Sequence, residues 1–384
     1  MIPVMAAACG VMVGNIYVCQ PLLDEIARGF GVPEHVAGFV AVAAQVGYAV
    51  GILFVLPMAD VAEPKRLIRV LTAVTALGLL AAAAAPGISV LVLATLVVAS
   101  ATVVPQMLIP LATSLAPLEQ RGRVIGVLQT GLILGILLSR TVSGSAAAVA
   151  HSWRAPFVLA AIATGAMFLI LPSFMPEQAP PRLRGGYLSA LRSLPSMLGH
   201  RPLRISAGLG FCVFGAFSAF WATLAFHLAS PEFGLGTAAT GLFGLWGAPG
   251  AILAPMAGRL ADRIGPGKVN AFGVACAGLA FVVAGVFGDR SLLALIVAVN
   301  LLDFGMQSGQ VANQTRIFAL GGNIRARLNT VYMVSVFGGG AFGSLAGSLA
   351  WSIAGWPGVC MVSGTMVAGA AMILVVARTG GRPR

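Results

Sequence analysis

The sequence predicts an all-α integral membrane protein with twelve transmembrane helices. Three observations support this class: 58% of the 384 residues are hydrophobic, only 9% are charged, and the apolar residues fall into twelve long runs. Soluble domains carry about a quarter charged residues, so this chain lacks the polar side chains needed to cover a globule. Within each run the apolar residues are continuous and do not alternate with polar residues. This pattern is typical of membrane helices and not of the strands of a membrane β-barrel.

Each run provides about 20 mostly apolar residues, the length that a spanning helix needs. In chain order the runs cover residues 3–23, 36–58, 66–86, 88–112, 124–149, 155–175, 203–229, 237–257, 269–288, 291–312, 327–351 and 357–377. The five cysteines are scattered without metal-ligand spacing. We therefore expect them to be buried apolar residues, and we expect no metal site.

The basic residues fix the orientation of these spans. If the N-terminus is cytoplasmic, 19 of the 23 Lys and Arg residues lie in the inside loops and tail, three lie in outside loops, and Arg140 lies within a span. The positive-inside rule then predicts a multi-pass protein of the inner (cytoplasmic) cell membrane with both termini in the cytoplasm. This distribution also explains the net charge of +12 without nucleic acid as a partner.

The two halves of the chain repeat at an offset of about 203 residues. LPMADVAEPKR (56–66) joins spans two and three, and GRLADRIGPGK (258–268) joins spans eight and nine. We predict an N-terminal six-helix bundle over 1–175, a cytoplasmic linker over 176–202, and a C-terminal six-helix bundle with a short cytoplasmic tail over 203–384. The bundles would be related by pseudo-two-fold symmetry, a common transporter plan that binds substrate near the midplane.

These motifs resemble those of the major facilitator superfamily. GRLADRIGPGK is similar to the signature loop of that family, and with the twelve runs and the repeat the resemblance covers essentially the whole chain. The first-half loop departs from the pattern at Leu56, Val61 and Glu63. NIYVCQPLL (15–23) and GLILGILLSRTVSG (131–144) resemble a bacterial subgroup of drug- and metabolite-efflux type. The resemblance implies a secondary transporter that works by alternating access between its two bundles.

The same resemblance implies a cytoplasmic gate held by the loop aspartates. An acidic side chain at a helix N-terminus gains from the helix dipole, and nearby arginines add charge-assisted hydrogen bonds. We expect two clusters, or else solvated loop charges with no gating role. The candidate gate residues are Asp60 and Arg123 in the first half, and Asp262, Arg263 and Arg327 in the second.

Arg140 in span five and Asp303 in span ten are the clearest ionisable residues without a charged counterpart in the other half. At 1.5 Å per residue they lie roughly 16 Å and 18 Å from the outer ends of their spans, near the midplane. Burial favours the neutral carboxyl, whereas a nearby guanidinium favours the carboxylate. We expect Asp303 to be the proton-coupling site, with Arg140 as its partner or as the ligand of a substrate anion. A permanent structural ion pair, or no contact, are the alternatives.

The remaining polar residues inside the spans are candidates for the substrate cavity. Asp303, Gln307, Gln310 and Gln314 share one face of span ten, and such a stripe should face a cavity or a partner and not lipid. Trp221 and Trp246 are candidate contacts for an apolar substrate, although packing and interhelical hydrogen bonds also explain residues of these types. The complete set of cavity candidates is Asn15, Tyr17, Gln20, Gln106, Gln307, Gln310, Trp221 and Trp246.

No catalytic or nucleotide-binding motif is present in the sequence, so we expect no enzyme activity and no cofactor. The favoured function is proton-coupled export of a small organic molecule by a monomer in the lipid bilayer. Its expected partners are the substrate, protons and membrane lipid. The alternative is uptake or exchange of a small anionic metabolite, with Arg140 as the anion ligand. A membrane-bound enzyme, a lipid-handling protein and a non-transporting receptor are less well supported.

Overall fold

The computed structural model describes residues 1–176, 186–252, 263–321 and 324–379, and every regular element in these ranges is helical. This confirms the predicted all-α class. The α-helices are α1 Ile2–Gly14, α2 Leu23–Phe30, α3 Glu34–Val50, α4 Pro64–Ala83, α5 Ile88–Ala101, α6 Val104–Leu115, α7 Arg121–Ala150, α8 Ala155–Ile170, α9 Gly186–Met197, α10 Arg201–Ala229, α11 Thr237–Trp246, α12 Ala248–Ile252, α13 Pro266–Phe287, α14 Leu292–Phe318 and α15 Arg325–Thr379.

Within the described ranges, nine helical segments are long and apolar enough to cross a membrane. They are Glu34–Ala59, Pro64–Ala83, Ile88–Leu115, Leu118–Ala150, Ala155–Phe174, Arg201–Ala229, Pro266–Phe287, Leu292–Phe318 and Arg325–Thr379. The last segment contains the two final predicted spans, because Gly355 interrupts it with a φ of +60° that glycine adopts readily. The first predicted span begins as the shorter helix α1, and the eighth begins with α11 and α12.

The first span departs from the continuous helix predicted over 3–23. Regular α-helix ends at Gly14, and a 3₁₀-helix covers Gln20–Leu22. Between them the chain turns tightly, because the N–H groups of Ile16 and Tyr17 bond three residues back and not four. Pro21 has no N–H and its ring would clash with the carbonyl four residues earlier, so an α-helix cannot continue regularly through this point.

The described residues form two compact units. The first comprises Met1–Pro33, Phe39–Leu191 and Leu235–Leu245, and the second comprises Glu34–Gly38, Arg192–Gly234 and Trp246–Arg384. Each unit therefore takes a short segment from the other half of the sequence. In the second unit, for example, the Trp351 indole N–H donates to the Glu34 carboxylate. The predicted domain boundaries at 175 and 203 stay a prediction.

Glycine permits a very close crossing of α1 and α7 in the first unit. A Cβ on Gly135 would overlap the backbone of Gly10, and one on Gly131 would overlap the backbone of Ala6. One turn further along, Gly14 lies against the Ser139 side chain. Small residues at four-residue steps let helix backbones approach in this way. The crossing therefore depends on Gly131 and Gly135, the two glycines of GLILG, which are four residues apart.

The second unit repeats this crossing between α10 and α15. A Cβ on Gly343 would overlap Gly215, and Gly347 lies against Ala219. At the repeat offset of about 203 residues the counterpart of Arg140 is Gly343, a buried residue without charge. Both units therefore contain an equivalent buried position, which is occupied by the Arg140 cation in the first unit and by an uncharged residue in the second.

We predict that Gly135→Ala destabilises the protein by about 1–3 kcal/mol, because the added methyl group overpacks the α1–α7 crossing. Gly126→Ala is the matched control in the same helix, since a Cβ there meets nothing within 4 Å. That control should leave stability unchanged or raise it by about 1 kcal/mol. Thermal unfolding of the purified protein in detergent measures both, and equal midpoints for the two variants would contradict the close crossing.

Candidate substrate and proton-coupling site

Arg140 is the centre of a buried polar group in the first unit. Its side chain is 1% exposed, and its Nε donates a 2.7 Å hydrogen bond to Oε1 of Gln20. The guanidinium carbon lies 4.8 Å from the centre of the Tyr17 ring, which places the cation over the ring face. Gln20 and Tyr17 are themselves 3% and 5% exposed. The structure thus brings together three residues that were expected to contribute to the site.

The tight turn at the end of the first span explains why Tyr17 and Gln20 meet the same arginine. The Gln20 N–H bonds to the Tyr17 carbonyl, a three-residue spacing. Residues three apart are eclipsed when the backbone adopts this tighter geometry, so their side chains leave the helix on the same side. The sequence signal for this arrangement is Pro21, which directly follows Gln20.

Helix α11 closes the site from another side within the first unit. A Cβ on Gly244 would lie 3.0 Å from the Cβ of Arg140, so the arginine stem packs directly on this glycine. Thr141 donates a 2.9 Å hydrogen bond to the Gly241 carbonyl. The two glycines therefore let α11 lie flat against α7 at the position of the buried cation.

Asp303 lies in α14 of the second unit and is 4% exposed. Gln307 and Gln310 follow it on the same helical face and are half-buried. Gln310 lines a small cavity together with Asn270, Asn313 and Tyr332. The polar stripe predicted for span ten therefore combines the buried Asp303 with half-buried glutamines. The pairing of Asp303 with Arg140 stays a prediction.

Asn300 is a polar residue of α14 that sequence reasoning did not select. Its Nδ2 donates to the carbonyls of Trp246 and Ile296 at 2.7 Å and 2.8 Å, and its Oδ1 accepts from the Gly250 N–H at 3.1 Å. The bonds to Trp246 and Gly250 satisfy backbone groups at the break between α11 and α12. An asparagine in the middle of an apolar run, three residues before Asp303, was the available sequence signal.

The other cavity candidates have partners inside their own units. Asn15 donates to the Thr164 hydroxyl at 3.1 Å, and Gln106 donates to the Tyr48 hydroxyl at 3.3 Å. Trp221 is 2% exposed and packs against Phe217 and Phe220, with ring centres 6.1 Å and 5.9 Å apart. Trp246 is partly exposed at the end of α11. Substrate contact by these residues stays a prediction.

The cytoplasmic gate clusters also stay a prediction. Asp60 ends a 3₁₀-helix over Leu56–Asp60, and Arg123 is exposed in the first turn of α7. Asp262 lies outside the described residues. Arg263 is exposed, and Arg327 is half-buried at the start of α15.

A chain of apolar spanning helices that buries an arginine and an aspartate inside them has the architecture of a membrane transport protein. Comparison with known proteins supports this class. A model of the Major Facilitator Superfamily matches residues 5–318. The chain therefore belongs to the major facilitator superfamily, whose members are multi-pass membrane transporters and not enzymes.

Two relatives match nearly the whole chain. A putative uncharacterized transporter of Escherichia coli, YgaY, is 40% identical over 367 residues, which cover 95% of this chain and 92% of the relative. A probable transporter of Streptomyces coelicolor, SCO4007, is 37% identical over 369 residues, covering 94% and 84%. The solved structure of the peptide transporter POT superposes with a TM-score of 0.78 at 14% identity, covering 99% of this chain and 94% of that one. The likeness to POT shows the fold alone.

We predict that Asn300→Ala lowers the free energy of unfolding by about 1–3 kcal/mol, because two backbone groups at the α11–α12 break lose their hydrogen-bond partner. Asn329→Ala is the control, since within the described residues its side chain accepts one long 3.5 Å bond, from Gln314. Thermal unfolding in detergent compares the two. A control as destabilised as Asn300→Ala would contradict the assigned role.

Proposed function

We propose that the protein is a proton-coupled antiporter that exports a small organic molecule from the cytoplasm. The observation that carries this proposal is the burial of two ionisable side chains in otherwise apolar spans, Arg140 in the first unit and Asp303 in the second. A charge at the centre of a bilayer costs about 2.5–3.5 kcal/mol even on the insertion scales that give low values. Residues that carry such a cost in a transporter mark ion and substrate pathways.

The proposed coupling uses the opposite effects of burial and of a nearby cation on a carboxyl group. When Arg140 is close, Asp303 is held as a carboxylate; when Arg140 moves away, the buried carboxyl takes up a proton. A conformational change that separates the two groups would thus load a proton, and the return would release it. In alternating access the two bundles provide this change by rocking about a central site.

Orientation follows from the loop charges. We propose that the chain lies in the inner membrane with both termini in the cytoplasm, because the basic residues concentrate in the loops assigned to that side. The bundles would extend over 1–175 and 203–384, with 176–202 as the linker. In this arrangement the gate candidates Asp60 and Arg123, and Asp262, Arg263 and Arg327, all lie at the cytoplasmic surface.

The test is a panel of candidate substrates in proteoliposomes with an imposed pH gradient and a pH-sensitive dye inside. An exported compound should trigger inward proton flux, and Asp303→Asn should abolish that flux. Glu119→Gln serves as a control that removes an exposed carboxylate away from the site. Transport by Asp303→Asn with unchanged pH dependence would contradict the proton site.

A second candidate function is uptake or exchange of a small anion, with Arg140 as its ligand. The burial of Arg140 favours it, because a cation inside a membrane-spanning helix of a transporter marks a candidate ion or substrate pathway. Arginine suits planar recognition of carboxylate or phosphate.

This second function predicts a different response to mutation. Uptake of an anion should survive Asp303→Asn and should be lost in Arg140→Ala, with Arg140→Lys retaining part of it because the charge stays but the planar fork is lost. Radiolabelled carboxylates measured for uptake into proteoliposomes provide the assay. Equal loss in Asp303→Asn and Arg140→Ala would favour proton coupling over this candidate.

A further inference from the structure

We infer that a groove on the first unit holds an acyl chain of a membrane lipid. The groove lies between α1, α7 and α8 and has a volume of about 460 Å³, within the range of sites that hold small molecules. It is separate from the proposed coupling pair, because neither Arg140 nor Asp303 lines it. Three properties of the groove identify its occupant: the chemistry of the lining, the direction in which it opens, and its length.

The lining of the groove is apolar, and none of the described residues that form it is charged. Three polar side chains border the groove, and each already donates a hydrogen bond inside the first unit. These bonds run from Asn15 to the Thr164 hydroxyl at 3.1 Å, from Ser139 to the Ile136 carbonyl at 3.0 Å, and from Ser143 to the Val18 carbonyl at 2.6 Å. A polar ligand would gain few hydrogen bonds here. The lining therefore selects an apolar occupant.

The groove opens between large apolar side chains at the surface. On α7, Leu134, Leu138 and Val142 are 49%, 45% and 47% exposed, and on α8 Leu159 is 43% exposed. Both helices belong to segments that are long and apolar enough to cross a membrane, so exposed side chains of this type face hydrocarbon and not water. The surrounding bilayer therefore supplies the occupant, and the apolar groups that it holds in excess are lipid acyl chains.

The length of the groove is close to the thickness of one leaflet. The lining residues of α7 extend from Gly131 to Ser143, a separation of twelve positions or about 18 Å at 1.5 Å per residue. The hydrocarbon core of a bilayer is about 30 Å thick, so a chain from one leaflet reaches about 15 Å into it. A single acyl chain that lies along the helices therefore fills the groove over most of its length.

Small residues distinguish the groove from an ordinary lipid-facing surface. Gly131 and Gly135 line it and also form the close crossing of α7 with α1, and Ala160 and Ala163 line it from α8. Because these side chains are small or absent, an acyl chain in the groove contacts three helices at once. About ten additional pairs of carbon atoms in contact correspond to about a tenfold preference for the groove over a flat helix surface. A bound chain also covers the glycines of the α1–α7 crossing and thereby stabilises the crossing.

The experiment is photo-crosslinking of the purified full chain in detergent with a trace of phosphatidylcholine that carries a diazirine in one acyl chain. Peptide mass spectrometry locates the labelled residues. Leu138 in the groove should be labelled about tenfold more than Leu93, an α5 residue that is 63% exposed and does not line the groove. Excess unlabelled phosphatidylcholine should remove the difference. Equal labelling of Leu138 and Leu93 by the trace lipid would overturn the inference, because undirected contact with hydrocarbon gives that result.

A matched pair of variants tests whether the groove itself binds the chain. Ala7→Phe fills the groove from α1, because Ala7 lines it and is exposed. This variant should lose the preferential labelling of Leu138, and added phosphatidylcholine should no longer raise its thermal unfolding midpoint as it does for the wild type. Ala81→Phe places the same side chain on the exposed surface of α4 outside the lining, and it should behave as the wild type. Wild-type labelling of Leu138 in Ala7→Phe would show that the groove is not the binding site.

A change of headgroup separates recognition of the acyl chain from recognition of the lipid charge. Phosphatidylglycerol with the same diazirine chain should label Leu138 as strongly as phosphatidylcholine does, because the lining carries no charge. Much stronger labelling by phosphatidylglycerol would mean that the headgroup directs binding, and the acyl-chain site would be wrong. These measurements follow lipid binding and not transport, so their outcome is independent of the proposed antiport.

Discussion

The structure depends on keeping a permanent cation inside the membrane-spanning part of its first unit. Burial of Arg140 costs about 2.5–3.5 kcal/mol on insertion scales. A hydrogen bond to a charged group contributes about 1.5–3 kcal/mol, and a desolvated cation–ring contact contributes about 2 kcal/mol. The Gln20 bond and the Tyr17 ring thus offset a cost of this size.

Close helix crossings create the place where this cation lies. The α1–α7 crossing in the first unit and the α10–α15 crossing in the second bring backbones together at glycines, and Gly244 admits the stem of Arg140. Because equivalent crossings occur in both units, the packing belongs to the repeated architecture. The charge of Arg140 does not, since its counterpart at the repeat offset is the buried Gly343. The buried cation therefore distinguishes the two otherwise similar halves.

The sequence alone predicted the all-α class, the approximate spans and the burial of Arg140 and Asp303, because apolar run length and charge placement are strong signals in a membrane. It did not predict the break in the first span, although Pro21 marks it, since an apolar run does not reveal local helix geometry. The bonds of Asn300 to Trp246 and Gly250 were also missed, because these partners are backbone groups distant in sequence. Periodicity on one helix identifies a polar face but not what that face contacts.

The most direct test of the account is a double-mutant cycle on thermal stability with Arg140→Met, Asp303→Asn and the two combined, measured at a pH where Asp303 is ionised. If the two charges interact, each single variant leaves a buried charge without its partner. The double variant should then be less destabilised than the sum of the single variants, with a coupling energy of at least about 0.5 kcal/mol. Additive effects would contradict the central claim, because they would show that the two buried charges act independently.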